Sequence, residues 1–355
     1  MLNIDFKQLL NTHSSGYVIK TMDPTFNIET LVMGNRSVIP TKEPMTEDCL
    51  FDIASLTKVF TSIVTYQSVE SGLINLEDSI TRFAPEFKNL QNVDILDLLS
   101  HRVECWTSAY LGDVKGRSHF EQELFTAYVK EQKQAYKDVH YMILSYVLEK
   151  IYGASFEDII LTNIARPLDL NSITFNPCKD EPIVSSNYER VNGIVRDDVH
   201  PGVVHDQKAK VAQELGFGLG HAGIFSDTQD LMSVLISLID NREQLLKKET
   251  VNQMFRRDGM RDFYPSGMRH PEALTPKTPG NASDQTAIFN GYTGPVFTVD
   301  FERNIIILLM ANICHNSKLS RQERFGISKD MINKLYNGVL DKSRRRHLVI
   351  CQDRN

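Results

Sequence analysis

The chain has 355 residues, 41% of them hydrophobic and 24% charged, enough apolar material for a sizeable core in one domain or two intimate lobes. A formal charge of −6 gives no sign of a nucleic-acid or anionic-membrane partner, and no stretch approaches the ~20 apolar residues of a bilayer-spanning helix. The five cysteines, Cys49, Cys105, Cys178, Cys314 and Cys351, are odd in number and scattered, which favours free thiols in a reducing compartment, so a cytoplasmic location is expected.

In chain order, MLNIDFKQLL has acidic and polar residues in its first turns and no long apolar run, and reads as an amphipathic helix, not a signal peptide. Gly16 to Met22 and Asn27 to Met33 are rich in β-branched and apolar residues around Asp23-Pro24, which predicts a hairpin. Next comes Phe51 to Val69, FDIASLTKVFTSIVTYQSV. Val59, Phe60, Ile63 and Val64 recur at helical spacing, so a helix after Ser55 should bury one stripe. From about Gly72 to about His270 the pattern is mainly helical, with caps such as Ser155 before Phe156 and Gly153 after Tyr152. The irregular stretch from about Asp258 to Gln285, with Pro265, Pro271, Pro276 and Pro279, is long enough to form a wall or lid of a cleft. Strand signals return only at Thr286 to Phe289, Pro295 to Asp300 and Asn304 to Met310. A final helix, about Arg321 to Leu340, is expected to end before the basic run Lys342 to Arg346 and a solvated tail, 346–355.

Strands at both ends with helices between imply an α+β fold in which N- and C-terminal strands share one antiparallel sheet flanked by helices. Residues 1–71 and 271–345 would then form one discontinuous lobe and 72–270 an inserted, mainly helical lobe, with a site between them.

The chemistry centres on Ser55 and Lys58, three residues apart and so on one helix face. A serine hydroxyl is a poor nucleophile while protonated. An amine within hydrogen-bonding reach can take its proton if burial or a nearby cation lowers the amine pKa, and the free N–H groups of a helix start can stabilise the resulting oxyanion. A serine and a lysine at this spacing are common by chance, so the surrounding residues must carry the assignment.

Those residues, Phe51-Asp52-Ile53-Ala54-Ser55-Leu56-Thr57-Lys58, resemble the nucleophile helix of serine β-lactamases, penicillin-binding proteins and related esterases, and Gly72 to Asp78 is similar to the turn after that helix in class C β-lactamases. Ala135 to Tyr141 resembles the family's tyrosine motif. The resemblance implies that the Tyr136 phenol lies near the nucleophile as a proton shuttle, and that Asp138 lines the pocket, where it could also cap the adjoining helix. Val93 to His101 resembles a segment that normally continues threonine-serine-glycine-leucine. Here it continues Arg102-Val103-Glu104-Cys105-Trp106, which alters the loop beside the pocket. Trp106 either lines the pocket or packs as a buried aromatic. Pro167 to Leu170, Val204-His205-Asp206 and Gly220 to Ser226 resemble further family stretches. His200, His205, Asp206 and His221 fit no zinc spacing, so no metal or other cofactor is expected.

At the third motif the chain departs from the family. Phe289-Asn290-Gly291, then Tyr292-Thr293-Gly294 and Asp300, stand where a lysine or histidine followed by threonine-glycine is usual, with Asn312 and His315 ending the next strand. Phe289, Asn290, Gly291 and Tyr292 would line the substrate site, with Gly291 allowing close backbone approach and the Tyr292 N–H as second oxyanion donor. An apolar Phe289 would disfavour a substrate carboxylate, unless an arginine such as Arg102 or Arg269 replaces the missing cation. The resemblance thus implies a β-lactamase/transpeptidase-like serine hydrolase. Ser55, Lys58 and Tyr136 would act on an amide or ester, for example a peptidoglycan fragment or small metabolite. The alternatives are an acyltransferase using the same site and a non-catalytic binding protein on a decayed hydrolase fold.

Overall fold

The computed structural model describes residues 4–186, 189–191, 194–196, 200–240, 242–257, 262–271 and 279–352. Helix α1 (Phe6–Thr12) starts where the Asp5 carboxylate accepts the Gln8 N–H at 3.1 Å. Strands β1 (Gly16–Met22) and β2 (Ile28–Ser37) form the expected hairpin, and β2 pairs with the short β3 (Glu43–Pro44). Asp23 closes the hairpin turn by accepting the N–H groups of Thr25 and Asn27. Near the other end, β4 (Thr286–Asn290), β5 (Val296–Asp300) and β6 (Ile305–Ala311) complete a six-stranded antiparallel sheet of order β4-β5-β6-β1-β2-β3. The first and last strands of the chain are thus partners, with Tyr17 opposite Ala311 and Met22 opposite Ile306.

The unbroken apolar run of β6 reflects burial on both faces. Ile305, Ile307 and Leu309 face one core together with Tyr17 and Ile19, while Ile306, Leu308 and Met310 face the other with Val18 and Met22. The first core is covered by the terminal helix α5 (Arg321–Gln352), which supplies Met331, Ile332, Leu335 and Tyr336. The second lies against α2 (Thr57–Glu70), α3 (Asp138–Tyr152) and α4 (Thr228–Ser237). None of the helices among the described residues is long and apolar enough to cross a membrane.

Four expectations are corrected. Helix α2 does not bury a single stripe: every residue from Thr57 to Tyr66 is buried, because the helix has packing partners on all sides. Its hydroxyls are satisfied in place, Thr61 donating to the Gly220 carbonyl at 2.7 Å and Ser62 to that of Ser266 at 2.9 Å. The middle of the chain is not free of strands. It contains antiparallel pairings of Glu104–Trp106 with Tyr128–Glu131 and of Glu189–Val191 with Ile194–Arg196, and a two-residue pairing of Phe51–Asp52 with Phe225–Ser226. These are two to four residues long, too short for a period-2 pattern to register. Helix α5 runs past Leu340 to Gln352, taking in 346–352 of the expected tail, because no Gly or Pro stands between Val339 and Gln352 to stop it. Finally, Asp138 is the first residue of α3, not its cap. Lys137 holds the cap position without a side-chain bond, which leaves the Asp138 carboxylate free to turn elsewhere. Ser155 and Gly153 do cap as expected, Ser155 accepting the Asp158 N–H and Gly153 ending α3 at φ 64°.

Candidate active site

The Phe51–Asp52 pairing with Phe225–Ser226 fixes the position of a single 3₁₀ turn at Ala54–Leu56 that leads into α2. Ala54 has φ 47°, a left-handed conformation that a non-glycine residue adopts only when held. Asp52 does the holding. Its buried carboxylate accepts the Ala54 N–H at 2.8 Å with one oxygen and the His205 N–H at 2.8 Å with the other. Opposite, the Asp52 carbonyl accepts the Thr293 hydroxyl at 2.7 Å, which ties the β4–β5 connection to the same turn. At Gly291 a Cβ would lie 2.7 Å from the Ile53 carbonyl oxygen, so close approach there requires glycine.

One turn on, Lys58 is fully buried and its ammonium spends all three protons: on Asp138 at 2.9 Å, on the His221 carbonyl at 2.9 Å and on the Ser55 hydroxyl at 3.3 Å. It also lies 4.9 Å from the centre of the Tyr136 ring. Asp138 passes the contact on to Lys208 at 3.3 Å, Lys208 to Asp206 at 2.8 Å, and Asp206 to the His221 ring at 3.0 Å. Because the His221 carbonyl returns to Lys58, these five residues close a ring beside Ser55 in which two lysines alternate with two carboxylates and His221 links Asp206 back to Lys58. The donor atoms of Asp138, Asp206 and His221 lie within 4.8 Å of one another, and the cations that balance them are the two lysines.

This ring overturns one expectation. Burial would push the Lys58 amine down, but attraction to Asp138 and Tyr136 outweighs burial and holds it above the ordinary lysine value. Lys58 therefore rests as an ammonium and is not a ready base. Burial likewise works against ionised Asp138 and Asp206, yet Lys58 keeps Asp138, and His221 with Lys208 keeps Asp206, below the usual carboxylate range. Burial dominates at His221 itself, whose imidazole titrates below the ordinary value.

Ser55, Tyr136, Asp138, Phe289, Asn290 and Tyr292 line one cavity of about 430 Å³, so of the eight residues expected at the site these six share a space; Lys58 reaches it through its bond to Ser55, and Gly291 does not line it but packs against the Ile53 carbonyl. Tyr136 is packed between the His101 ring at 4.7 Å and the Phe263 ring at 6.1 Å, with Phe289 at 6.4 Å. The His101 carbonyl accepts the Ala135 N–H at 2.9 Å, and its ring bonds His140 at 2.7 Å. Arg269 also lines the cavity. Its backbone exchanges two hydrogen bonds with Ile288 on the edge of β4, which brings its guanidinium beside the residues around Phe289 and 4.5 Å over the Phe263 ring. Arg321, at the start of α5, lines the same cavity over Tyr292. Arg102 does not line it; its N–H is held by the Asp97 carbonyl. Of the irregular stretch at 258–285, Arg269 is the described residue that lines the cavity, while 258–261 and 272–278 lie outside the described residues. His200 is exposed and does not line the cavity, whereas His205 does, stacked 5.3 Å from Tyr292. Trp106 does not line this cavity and is not buried: it is 43% exposed, with its indole N–H on Glu104 at 2.9 Å and the Lys137 ammonium 3.5 Å over its ring. Asp300, Asn312 and His315, which set the register of the third motif, serve the fold. Asp300 accepts from Ser283 at 2.6 Å, Asn312 from Gly16 and Ser14, and His315 from Val38.

Sequence reasoning passed over Asp52, Lys208 and Arg321. Asp52 stood inside the quoted nucleophile segment, and its signal was a carboxylate just before a turn. Nothing local marked Lys208 or Arg321.

The sequence model of the Beta-lactamase family matches residues 30–327, and the chain belongs to that family. A provisionally named D-alanyl-D-alanine carboxypeptidase of Salmonella gallinarum is 28% identical over 311 residues, 76% of this chain and 71% of the relative, and its counterpart in Salmonella typhi gives the same figures. Among solved structures, a LovD6 mutant of simvastatin synthase from Aspergillus terreus superposes with a TM-score of 0.75 at 17% identity, covering 96% of this chain and 95% of the other. EstCE1, described as a hydrolase with promiscuous acyltransferase activity, gives 0.72 at 16% identity over 92% and 96%. FmtA from Staphylococcus aureus gives 0.67 at 19% over 93% and 86%. These structures share the β-lactamase/transpeptidase-like fold, and the named relatives support a hydrolase.

Proposed function

We propose that this member of the Beta-lactamase family is a serine hydrolase that cleaves an amide or ester through an acyl-enzyme on Ser55. The observation that carries the reading is the hydrogen bond from the buried Lys58 ammonium to the Ser55 hydroxyl, in a cavity whose wall is Tyr136. Ser55 Oγ attacks the carbonyl carbon and its proton leaves through the Lys58–Tyr136 pair to the departing nitrogen or oxygen. With Lys58 resting as an ammonium, the Tyr136 hydroxyl relays the proton, taking it from Oγ as it gives its own to the departing nitrogen or oxygen, and Lys58 orients Oγ and favours negative charge on it. The N–H groups at the start of α2 and at Tyr292 face the oxyanion. Water then attacks the acyl ester and the same groups act in reverse.

The charges of the cavity define one end of the substrate. Asp138 and Asp206 are balanced by Lys58 and Lys208, whereas Arg269 and Arg321 make no ion pair among the described residues. Phe289 supplies an apolar wall, and the cation missing from the third motif comes from Arg269, so an anionic group of the substrate lies on that side.

Intact-mass analysis after reaction with a fluorophosphonate tests the nucleophile. A single adduct on the wild type and none on Ser55→Ala is expected; an adduct that survives in Ser55→Ala refutes the assignment. Including a primary alcohol as acceptor in ester turnover separates hydrolysis from acyl transfer by the products formed.

A further inference from the structure

The altered loop at Arg102–Trp106 leads to a second cavity of about 380 Å³ that shares the side chains of Tyr110 and Asp138 with the Ser55 cavity. Its floor is buried and apolar, formed by Cys105, Leu111, Val139 and Met142, and Trp106 and Tyr110 stand at its rim, 43% and 51% exposed. The charged side chains around it are already paired. Lys137 lies on the Trp106 ring and 3.4 Å from Glu104, and Lys208 bonds both Asp138 and Asp206. It therefore offers no free charge to an ionic ligand, in contrast to the Arg269 and Arg321 side of the Ser55 cavity.

We infer that this cavity is the acyl subsite, taking an uncharged aliphatic acyl chain whose carbonyl carbon lies at Ser55. The inference rests on the acyl-enzyme reading above. Three observations favour a substrate chain over any separate partner. The cavity adjoins the Ser55 cavity, with Tyr110 and Asp138 lining both, its volume is within the ~300–1,000 Å³ of small-molecule sites, and its floor includes a methionine, a flexible side chain that adapts to a chain of varying shape. A chain entering past Tyr110 buries its methylenes against Leu111, Val139 and Met142 while Trp106 covers it from solvent. The substrate is then bipartite, with an anionic leaving portion toward Arg269 and an apolar acyl portion under Trp106.

Each buried methylene is worth roughly fourfold in kcat/KM, so p-nitrophenyl octanoate should exceed the butanoate at least tenfold in the wild type. Met142→Phe, which fills the floor, and Ala109→Phe, which crowds the exposed rim and carries the comparison if the buried variant does not fold, should each lower that octanoate-to-butanoate ratio at least tenfold. Trp106 is the only tryptophan in the chain, so its emission reports occupancy without turnover. In Ser55→Ala, octanamide should change it saturably, and adding Ala109→Phe should weaken that binding at least tenfold. A ratio within twofold of wild type in the folded variants, or no saturable change in emission, overturns the subsite. Octanamide binding with no ester turnover by the wild type would uphold the subsite and refute the hydrolase reading, so the two failures are distinguishable.

Discussion

Replacing Asp138 with Asn removes one charge from the ring beside Ser55 and nearly nothing from its shape. Lys58 is 1% exposed and Asp138 29% exposed, so the pair lies between a buried ion pair, where removing one partner costs about 3–5 kcal/mol, and a surface pair worth about 0–1. Lys58 keeps the His221 carbonyl and Ser55, and the new amide can offer its oxygen, so about 2–3 kcal/mol of stability should be lost at pH 7. The pH dependence carries the sharper test. In the wild type the folded-state pKa of Lys58 is raised, so its contribution is fully present below the unfolded value of about 10.4 and is lost as pH rises through the folded value. Asp138 is depressed, so its contribution is present above about 3.9 and is lost as pH falls through the folded value. In Asp138→Asn, burial stays the largest influence on Lys58 with the attraction to Tyr136 still set against it, and the expected outcome is a folded-state value below about 10.4. The unfolded chain then binds more protons, and stability must rise with pH across that window. Urea denaturation at pH 7, 8, 9 and 10 measures both effects. A loss under about 0.5 kcal/mol at pH 7, or a stability that does not climb between pH 8 and 10 in the variant, would refute the claim that Asp138 holds Lys58 charged.

Lys58→Ala and Tyr136→Phe should each slow acylation by roughly 10²-fold or more, the scale of a lost acid/base group, measured by stopped-flow with a chromogenic ester; rates within threefold of wild type for both would remove them from the mechanism. Gly291→Ala pushes a methyl group against the Ile53 carbonyl and should cost about 1–3 kcal/mol in thermal unfolding, with acylation impaired because the displaced backbone leads into Ser55. Arg269→Gln should lower kcat/KM for an ester with an anionic leaving group at least tenfold relative to a neutral one, the loss of a charge-assisted contact of about 1.5–3 kcal/mol. If Phe289→His changes that preference and Arg269→Gln does not, position 289 sets the charge of the substrate and the assignment to Arg269 fails.

Much of the fold is written in local pattern. The β1–β2 hairpin, the three C-terminal strands and the caps at Ser155 and Gly153 arise from turn chemistry, β-branched runs and a stop residue, all of which act within a few residues. Ser55 and Lys58 belong to the same class, since helical spacing alone puts them on one face. The expectation of a lowered Lys58 pKa went wrong because burial is a local inference from an apolar segment, whereas the compensating carboxylate is Asp138, 80 residues away.

What the tertiary structure decided is every relation between distant charges. Asp138, Lys208, Asp206 and His221 form a ring around Lys58 only because α3, the 205–208 segment and the 220–226 segment converge on the turn at Ser55, and Coulomb energy depends on that separation, not on spacing along the chain. The same holds for the cation of the cavity. From the sequence, Phe289 removed it and Arg102 and Arg269 were equal candidates to restore it. The pairing of Arg269 with Ile288 on the edge of β4 singled out one, and the start of α5 added Arg321, which nothing in its own neighbourhood had marked. Periodicity and capping are properties of a segment and can be read from it, while the charge of a site is a property of which segments meet.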